Sequence, residues 1–267
     1  MSTRNRGEEA IARMFEGARK HGRAAFLPYY PIGYPDYGTS IEIIAKMADI
    51  GVDGFEIGMP FSDPLADGPT IAAATDHALR GGINTARCLE AVRELRERGV
   101  DQPLLLMGYL NPILAYGPEI FASEAREAGA DGLIVPDLPP EERGLLEDPC
   151  RNSGLALVAF LAPNGGPRRI TLAAEKATGF IYIVSVTGIT GARESLPDTL
   201  PVFLDRVRAQ TDKPLVVGFG ISRPEQARAM GEIADGFIVG SALVRAADEG
   251  VDAVLRLAES LRNALDA

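Results

Sequence analysis

The residues Gly51-Val52-Asp53-Gly54-Phe55-Glu56-Ile57 have two echoes in this chain. One is Gly129-Ala130-Asp131-Gly132-Leu133-Ile134-Val135 and the other Ile233-Ala234-Asp235-Gly236-Phe237-Ile238-Val239. Each reads as a helix end, an Asp-Gly turn and a short buried strand. Recurrence of one strand-bearing unit along a chain restricts the fold sharply, because repeated βα units pack against copies of themselves. The same alternation runs between the copies. Apolar runs at 24–30, around Glu56, and at 103–109, 131–135, 155–160, 180–184, 214–217 and 236–239 are each followed by helical spacing. Strands alternating with helices imply a parallel sheet. Eight such units in 267 residues, with no linker between them, favour a closed barrel over an open doubly wound sheet.

The expected fold is therefore α/β, a single (β/α)8 barrel of the TIM type spanning residues 1–267, with residues 1–7 as a flexible N-terminus. An extra N-terminal helix covers Glu8 to Lys20, where Ile11, Met14, Phe15 and Ala18 make one apolar stripe. An inserted helix follows strand 2, because Ile71–Leu79 and Asn84–Arg98 are both helical and are split by Gly81-Gly82. Thr39 or Ser40 caps a helix running to Ile50, and Ser222 caps one running to Met230. Leu110–Gly117, with Asn111-Pro112, reads as a loop. Pro149 is a candidate break in the helix from Glu141 to Asn152.

Bulk properties exclude several function classes. A formal net charge of -10 disfavours nucleic acid and anionic membranes as partners. No apolar run approaches the roughly 18 residues of a membrane helix, and the start of the chain lacks the apolar segment of a secretory signal. The two cysteines, Cys88 and Cys150, have no metal-ligand spacing and read as buried thiols in a reducing compartment, so a cytoplasmic location is expected. The two histidines, His21 and His77, form no ligand pair, and no metal is expected.

In a barrel of this kind, the loops after the strands build the active face. They collect Glu56, Asp63, Asp67, Asn111, Asp137 and Tyr182. Glu56 interrupts an apolar strand. A buried glutamate is rare unless it is paired or chemically engaged, and on this ground alone a structural ion pair and a catalyst fit Glu56 equally well. Desolvation raises a carboxyl pKa and suits the group to proton transfer near neutrality. The loop Pro60-Phe61-Ser62-Asp63-Pro64-Leu65-Ala66-Asp67-Gly68-Pro69 has turn chemistry throughout. Opposite it, three late loops are rich in glycine: Thr187–Gly191, Gly218–Ser222 and Val239–Ala242. Each alone fits an ordinary turn as well as an anion site. Together, on neighbouring strands, they suit a phosphate held by backbone amides.

The run Phe55-Glu56-Ile57-Gly58-Met59-Pro60-Phe61-Ser62-Asp63-Pro64-Leu65-Ala66-Asp67-Gly68-Pro69 resembles the signature of the tryptophan synthase alpha chain family. Gly108–Pro112, Val135–Pro139, Ser185–Gly191 and Gly218–Ser222 are similar to that family in the same order. The resemblance implies retro-aldol cleavage of indole-3-glycerol phosphate to indole and glyceraldehyde 3-phosphate. It assigns Glu56 as catalytic acid/base and Asp67 as the carboxylate at the indole N–H. Tyr182 would lie beside the ring, and the amides of Gly191, Gly220, Gly240 and Ser241 would hold the phosphate. It also implies a beta chain as partner in an alpha2-beta2 heterotetramer, with Pro60, Asp63 and Pro139 near the contact and Thr190 on a loop that closes over substrate. This chain is expected to carry no cofactor, since pyridoxal phosphate belongs to the beta chain. The sequence departs from the family at Pro31, where a threonine is usual, at Val186, where some members have arginine, and at Asn164-Gly165-Gly166. A stand-alone lyase and a catalytically idle activator of the beta chain are the alternative readings.

Overall fold

A computed structural model of the chain describes residues 6–184, 199–218 and 220–266. Nine strand segments are all parallel: β1 (Ala25–Pro31), β2 (Phe55–Gly58), β3 (Leu104–Met107), β4 (Gly132–Ile134), β5 (Ala156–Leu157), β6 (Ala159–Leu161), β7 (Ile181–Val184), β8 (Leu215–Gly218) and β9 (Gly236–Val239). Their order in the sheet is β5-β4-β3-β2-β1-β9-β8-β7-β6. The two end strands are halves of one segment, interrupted only at Val158, whose N–H donates to Leu133 O at 3.0 Å. The sheet thus meets itself through the chain, and nine segments occupy eight barrel positions. The single run expected at 155–160 is these two halves.

Side-chain parity divides the strands as a pleated sheet requires. Phe55, Ile57, Leu104, Leu106, Leu133, Ile183, Val217 and Phe237 pack outward in the layer beneath the helices. Leu27, Tyr29, Leu105, Met107, Ile134, Val158, Val216 and Ile238 fill the interior. Glu56 lies between Phe55 and Ile57 and so takes the interior face. The leading helix, α1 (Arg6–Lys20), closes the N-terminal end of the barrel with Ile11, Met14, Phe15 and Ala18. Phe15 meets Phe180 edge-on at 5.9 Å.

The three echoed units share one device at that end. Asp53 donates its N–H to Phe26 O at 3.0 Å and takes Phe26 N–H on its carboxylate at 2.9 Å. Asp131 does the same to Leu104, at 2.8 and 3.1 Å, and Asp235 to Leu215, at 3.1 and 2.9 Å. Each aspartate therefore fixes its strand to the start of the preceding one. Each is also neutralised by arginine: Arg23 on Asp53 at 2.6 Å, Arg96 on Asp131 at 2.6 Å, and Arg208 near Asp235 at 3.7 Å.

After β2 come α3 (Pro69–Arg80) and α4 (Thr85–Glu97), the inserted pair expected there. Four local expectations are corrected. The segment after β3 is helical, α5 (Leu110–Tyr116), rather than a loop. Pro112 is its third residue, where no intrahelical acceptor awaits an N–H, so proline is tolerated. Asp36, not Thr39 or Ser40, caps the helix Tyr37–Asp49 by accepting Thr39 N–H at 2.9 Å. The helix after β8 runs from Pro224 to Ile233, and Gln226 satisfies the N–H groups of Ser222 and Arg223. Pro149 lies inside an unbroken helix, Gly144–Ser153.

Candidate active site

The C-terminal ends of the strands form the mouth of the barrel. Glu56 stands there on β2, in register with Tyr29 on β1 and Leu105 on β3. It is 3% exposed, and its Oε2 is buried without a hydrogen-bond partner among the described residues. Burial, and after it the charge of Asp67, pushes the Glu56 carboxyl from 4.5 to about 8. Four residues, Met59, Pro60, Phe61 and Ser62, lead from the strand into the exposed part of the loop.

Asp67 returns from that loop to the mouth. Its N–H donates to Pro64 O at 3.2 Å, and Gly68-Pro69 starts α3 directly behind it. Tyr109, just beyond β3, accepts Ala66 N–H at 3.0 Å, and its ring packs on Phe61 at 5.4 Å. Tyr109 thus ties the loop to the barrel at Phe61 and at Ala66, the residue before Asp67. Burial lifts the Asp67 carboxyl to about 6, and hydrogen bonding from Tyr109 opposes that rise. At pH 7, one carboxyl is therefore mostly neutral and its neighbour mostly ionised. Two groups separated in this way can give and take protons in a single site.

Two tyrosines complete the wall. Tyr182 on β7 stacks on Phe160 at 4.7 Å and leans over Gly218, where a Cβ would meet its hydroxyl at 2.4 Å. Tyr29 on β1 has its ring against Gly240 and its hydroxyl over Gly58, where a Cβ would meet that oxygen at 2.4 Å. Any larger residue at Gly58 or Gly218 would displace the tyrosine beside it.

On the other side of β1, Gly240 follows β9 and Ser241 begins a short helix, Ser241–Ala246. Both are half-buried, as is Gly220 after β8. The first N–H groups of a helix lack intrahelical acceptors, so this end can receive an anion. Gly191, Thr190, Val186 and Phe219 lie outside the described residues.

The remaining candidates are spread more widely. Asp137 accepts Leu110 N–H on both carboxylate oxygens, at 2.9 and 3.2 Å, and so caps α5 rather than facing a substrate. Asn111 is exposed. Asp63 is exposed and takes the Ser62 hydroxyl at 2.5 Å, while Pro60 and Pro139 are half-buried. Leu65, at the tip of the same loop as Asp63, is 90% exposed. His21 and His77 are exposed and bonded to Gly17 O and Pro35 O. Cys88 and Cys150 are buried, and burial raises both thiols to about 12, which leaves them unreactive. Among the described residues, no group of three His, Cys, Asp or Glu side chains could hold a metal, and no helix is long and apolar enough to cross a membrane.

Sequence reasoning missed Tyr29 and Tyr109 as site residues. Parity could have found Tyr29, since it shares the interior face with Leu27. Tyr109 carries no such signal, because its role depends on where the loop from β2 folds back.

A closed parallel barrel with a desolvated acid and a second carboxylate at its C-terminal mouth belongs to the acid–base enzymes of the (β/α)8 class. The sequence profile described as tryptophan synthase alpha chain matches residues 15–265. A tryptophan synthase alpha chain from Gluconacetobacter diazotrophicus is 49% identical over 243 residues, covering 91% of this chain and 89% of that one. The structure of Mycobacterium tuberculosis tryptophan synthase superposes with a TM-score of 0.91 at 38% identity, over 96% of this chain and 98% of that one. The alpha subunit from Legionella pneumophila gives 0.89 at 36% identity, over 96% and 98%. The chain belongs to the tryptophan synthase alpha chain family. Its reaction is the lyase step of that subunit, cleavage of indole-3-glycerol phosphate, in tryptophan biosynthesis, and the family implies a beta chain as partner.

Proposed function

We propose that Glu56 is the acid and base of this cleavage and that Asp67 holds the indole N–H. Neutral Glu56 protonates the ring carbon that bears the glycerol side chain. The ring then becomes an iminium, with positive charge on nitrogen. Ionised Asp67 stabilises that charge through the N–H. Glu56, now a carboxylate, removes the proton of the glycerol hydroxyl on the adjacent carbon. A carbonyl forms, the carbon–carbon bond breaks, and its electron pair restores the aromatic indole. Protons balance, because the one given to carbon is replaced by the one taken from oxygen. The observation that carries this reading is the buried, unpartnered Oε2 of Glu56 at the barrel mouth, beside a second carboxyl with a lower pKa.

The phosphate is assigned to the amides of Gly240 and Ser241 together with Gly220 and Gly191, and the face of Tyr182 to the indole ring. Thr190 belongs to a loop that shields the reaction from water. The chain acts as one barrel domain in the cytoplasm, without a cofactor of its own. Its partner is a beta chain that carries pyridoxal phosphate and joins the released indole to serine, in an alpha2-beta2 assembly. Pro60, Asp63 and Pro139 belong to the docking side, and the exposure of Leu65 on the same loop supports that placement.

The test has two arms. Glu56→Gln is expected to abolish cleavage while leaving glycerol phosphate binding unchanged, and retained turnover would remove Glu56 from this role. Cleavage by the purified chain is expected to be slow alone and to rise strongly when the beta chain is added. Full activity of the isolated chain would instead favour a stand-alone lyase.

A further inference from the structure

We infer that Tyr29 is a further catalytic residue, whose hydroxyl donates a hydrogen bond to the glycerol oxygen that loses its proton. This rests on the roles assigned above to Glu56 and to the phosphate amides. Strand order supplies the first argument. β1 lies between β9, which ends at the proposed phosphate helix, and β2, which carries Glu56 and leads to Asp67. A substrate with its phosphate at Gly240 and its ring at Asp67 must pass its glycerol chain across the end of β1. The interior-facing side chain at that end is Tyr29, which is in register with Glu56.

The orientation of the ring supplies the second argument. Its Cδ1 and Cβ lie 3.0 and 3.3 Å from where Gly240 would carry a Cβ. Its hydroxyl lies 2.4 Å from where Gly58 would carry one. The phenol therefore reaches across the mouth from the phosphate side to the Glu56 strand, with the oxygen at the Glu56 end. Glycine at both positions gives it that space. Tyr29 is buried and, among the described residues, its hydroxyl has no hydrogen-bond partner, unlike those of Tyr109 and Tyr34, which are engaged by Ala66 N–H and Asp248. A phenol held rigidly by its ring, with a free donor beside the base, suits an oxygen that gains negative charge as its proton leaves.

Tyr29→Phe keeps the ring packing and removes only the donor. With the beta chain present, kcat for indole-3-glycerol phosphate cleavage is expected to fall about 10- to 100-fold, with KM within about twofold. Binding of indolyl-propyl phosphate, which lacks the glycerol hydroxyls, is expected to be unchanged, as is the melting temperature. Gly58→Ala, by displacing the same hydroxyl, is expected to lower kcat similarly, and the double variant is expected to lose little more than either alone. A kcat within twofold of the parent, or a loss confined to KM and shared by the deoxy analogue, would overturn the role of Tyr29. Neither result would touch the Glu56 reading, which stands or falls on Glu56→Gln alone.

Discussion

Glu56→Gln should change how stability depends on pH in a way that follows from burial and, after it, the charge of Asp67. In the unfolded chain, this carboxyl titrates near 4.5, and in the folded protein burial and the charge of Asp67 bring it to about 8. Below pH 4.5 both states are protonated and the group opposes folding not at all. As pH rises, the unfolded chain releases the proton first, so folding must take one up. The stability present at low pH is therefore lost progressively until the folded carboxyl ionises at about 8. At about 1.4 kcal/mol per pH unit, the loss reaches about 3 kcal/mol by pH 7 and about 5 kcal/mol above pH 8. Glutamine has the same shape and does not titrate. Its own desolvation is independent of pH and drops out of the comparison. Urea unfolding of parent and variant at pH 5, 6, 7 and 8 should give a difference in unfolding free energy that grows by about 1.4 kcal/mol per pH unit in favour of glutamine. A flat difference would refute the argument, because it would mean that Glu56 is solvated or paired in the native protein.

The same pair of carboxyls sets the pH profile of catalysis. kcat/KM should rise as Asp67 ionises through about 6 and fall as Glu56 ionises through about 8. Asp67→Asn should remove the acid limb, move the alkaline limb lower because an anion beside Glu56 is gone, and slow cleavage; an unchanged bell would separate these groups from the reaction. Asp131→Ala should cost about 3 kcal/mol by strand-clasp loss, since it leaves Leu104 N–H and the Nη2 of Arg96 without their acceptor. Glu90→Ala, which breaks the exposed pair with Arg87, should leave the urea midpoint unchanged within error in the same denaturation assay.

Much of this protein was open to reading from local patterns. Strand and helix types follow from apolar periodicity, which is a property of adjacent residues, so the eight units and the added helices at Glu8–Lys20 and after strand 2 are legible in the sequence. The direction of the active face followed from a rule about strand ends. Local patterns fail where local chemistry offers more than one equal solution. Thr39, Ser40 and Asp36 can all cap a helix, and the chain starts this one at Asp36, whose carboxylate accepts Thr39 N–H. Asn111-Pro112 suits a loop or the first turn of a helix, and the Asp137 carboxylate, 27 residues away, decides for the helix by taking Leu110 N–H.

The site divides in the same way. Sequence alone determined that a carboxylate interrupts an apolar strand and that a rigid loop brings two more after it. It also determined the Asp-Gly echo, because that is a matter of spelling. It could not state what the echoed aspartates do, since each acts on a residue of the preceding strand, 20 to 27 positions earlier. Nor could it separate Glu56 from an ordinary ion pair. That distinction depends on Oε2 having no partner among the described residues of the closed barrel, where several strands meet at one point. Tyr29, Tyr109 and Asp67 converge on the mouth from three separate segments, and only tertiary structure decides proximity between groups that the chain keeps far apart.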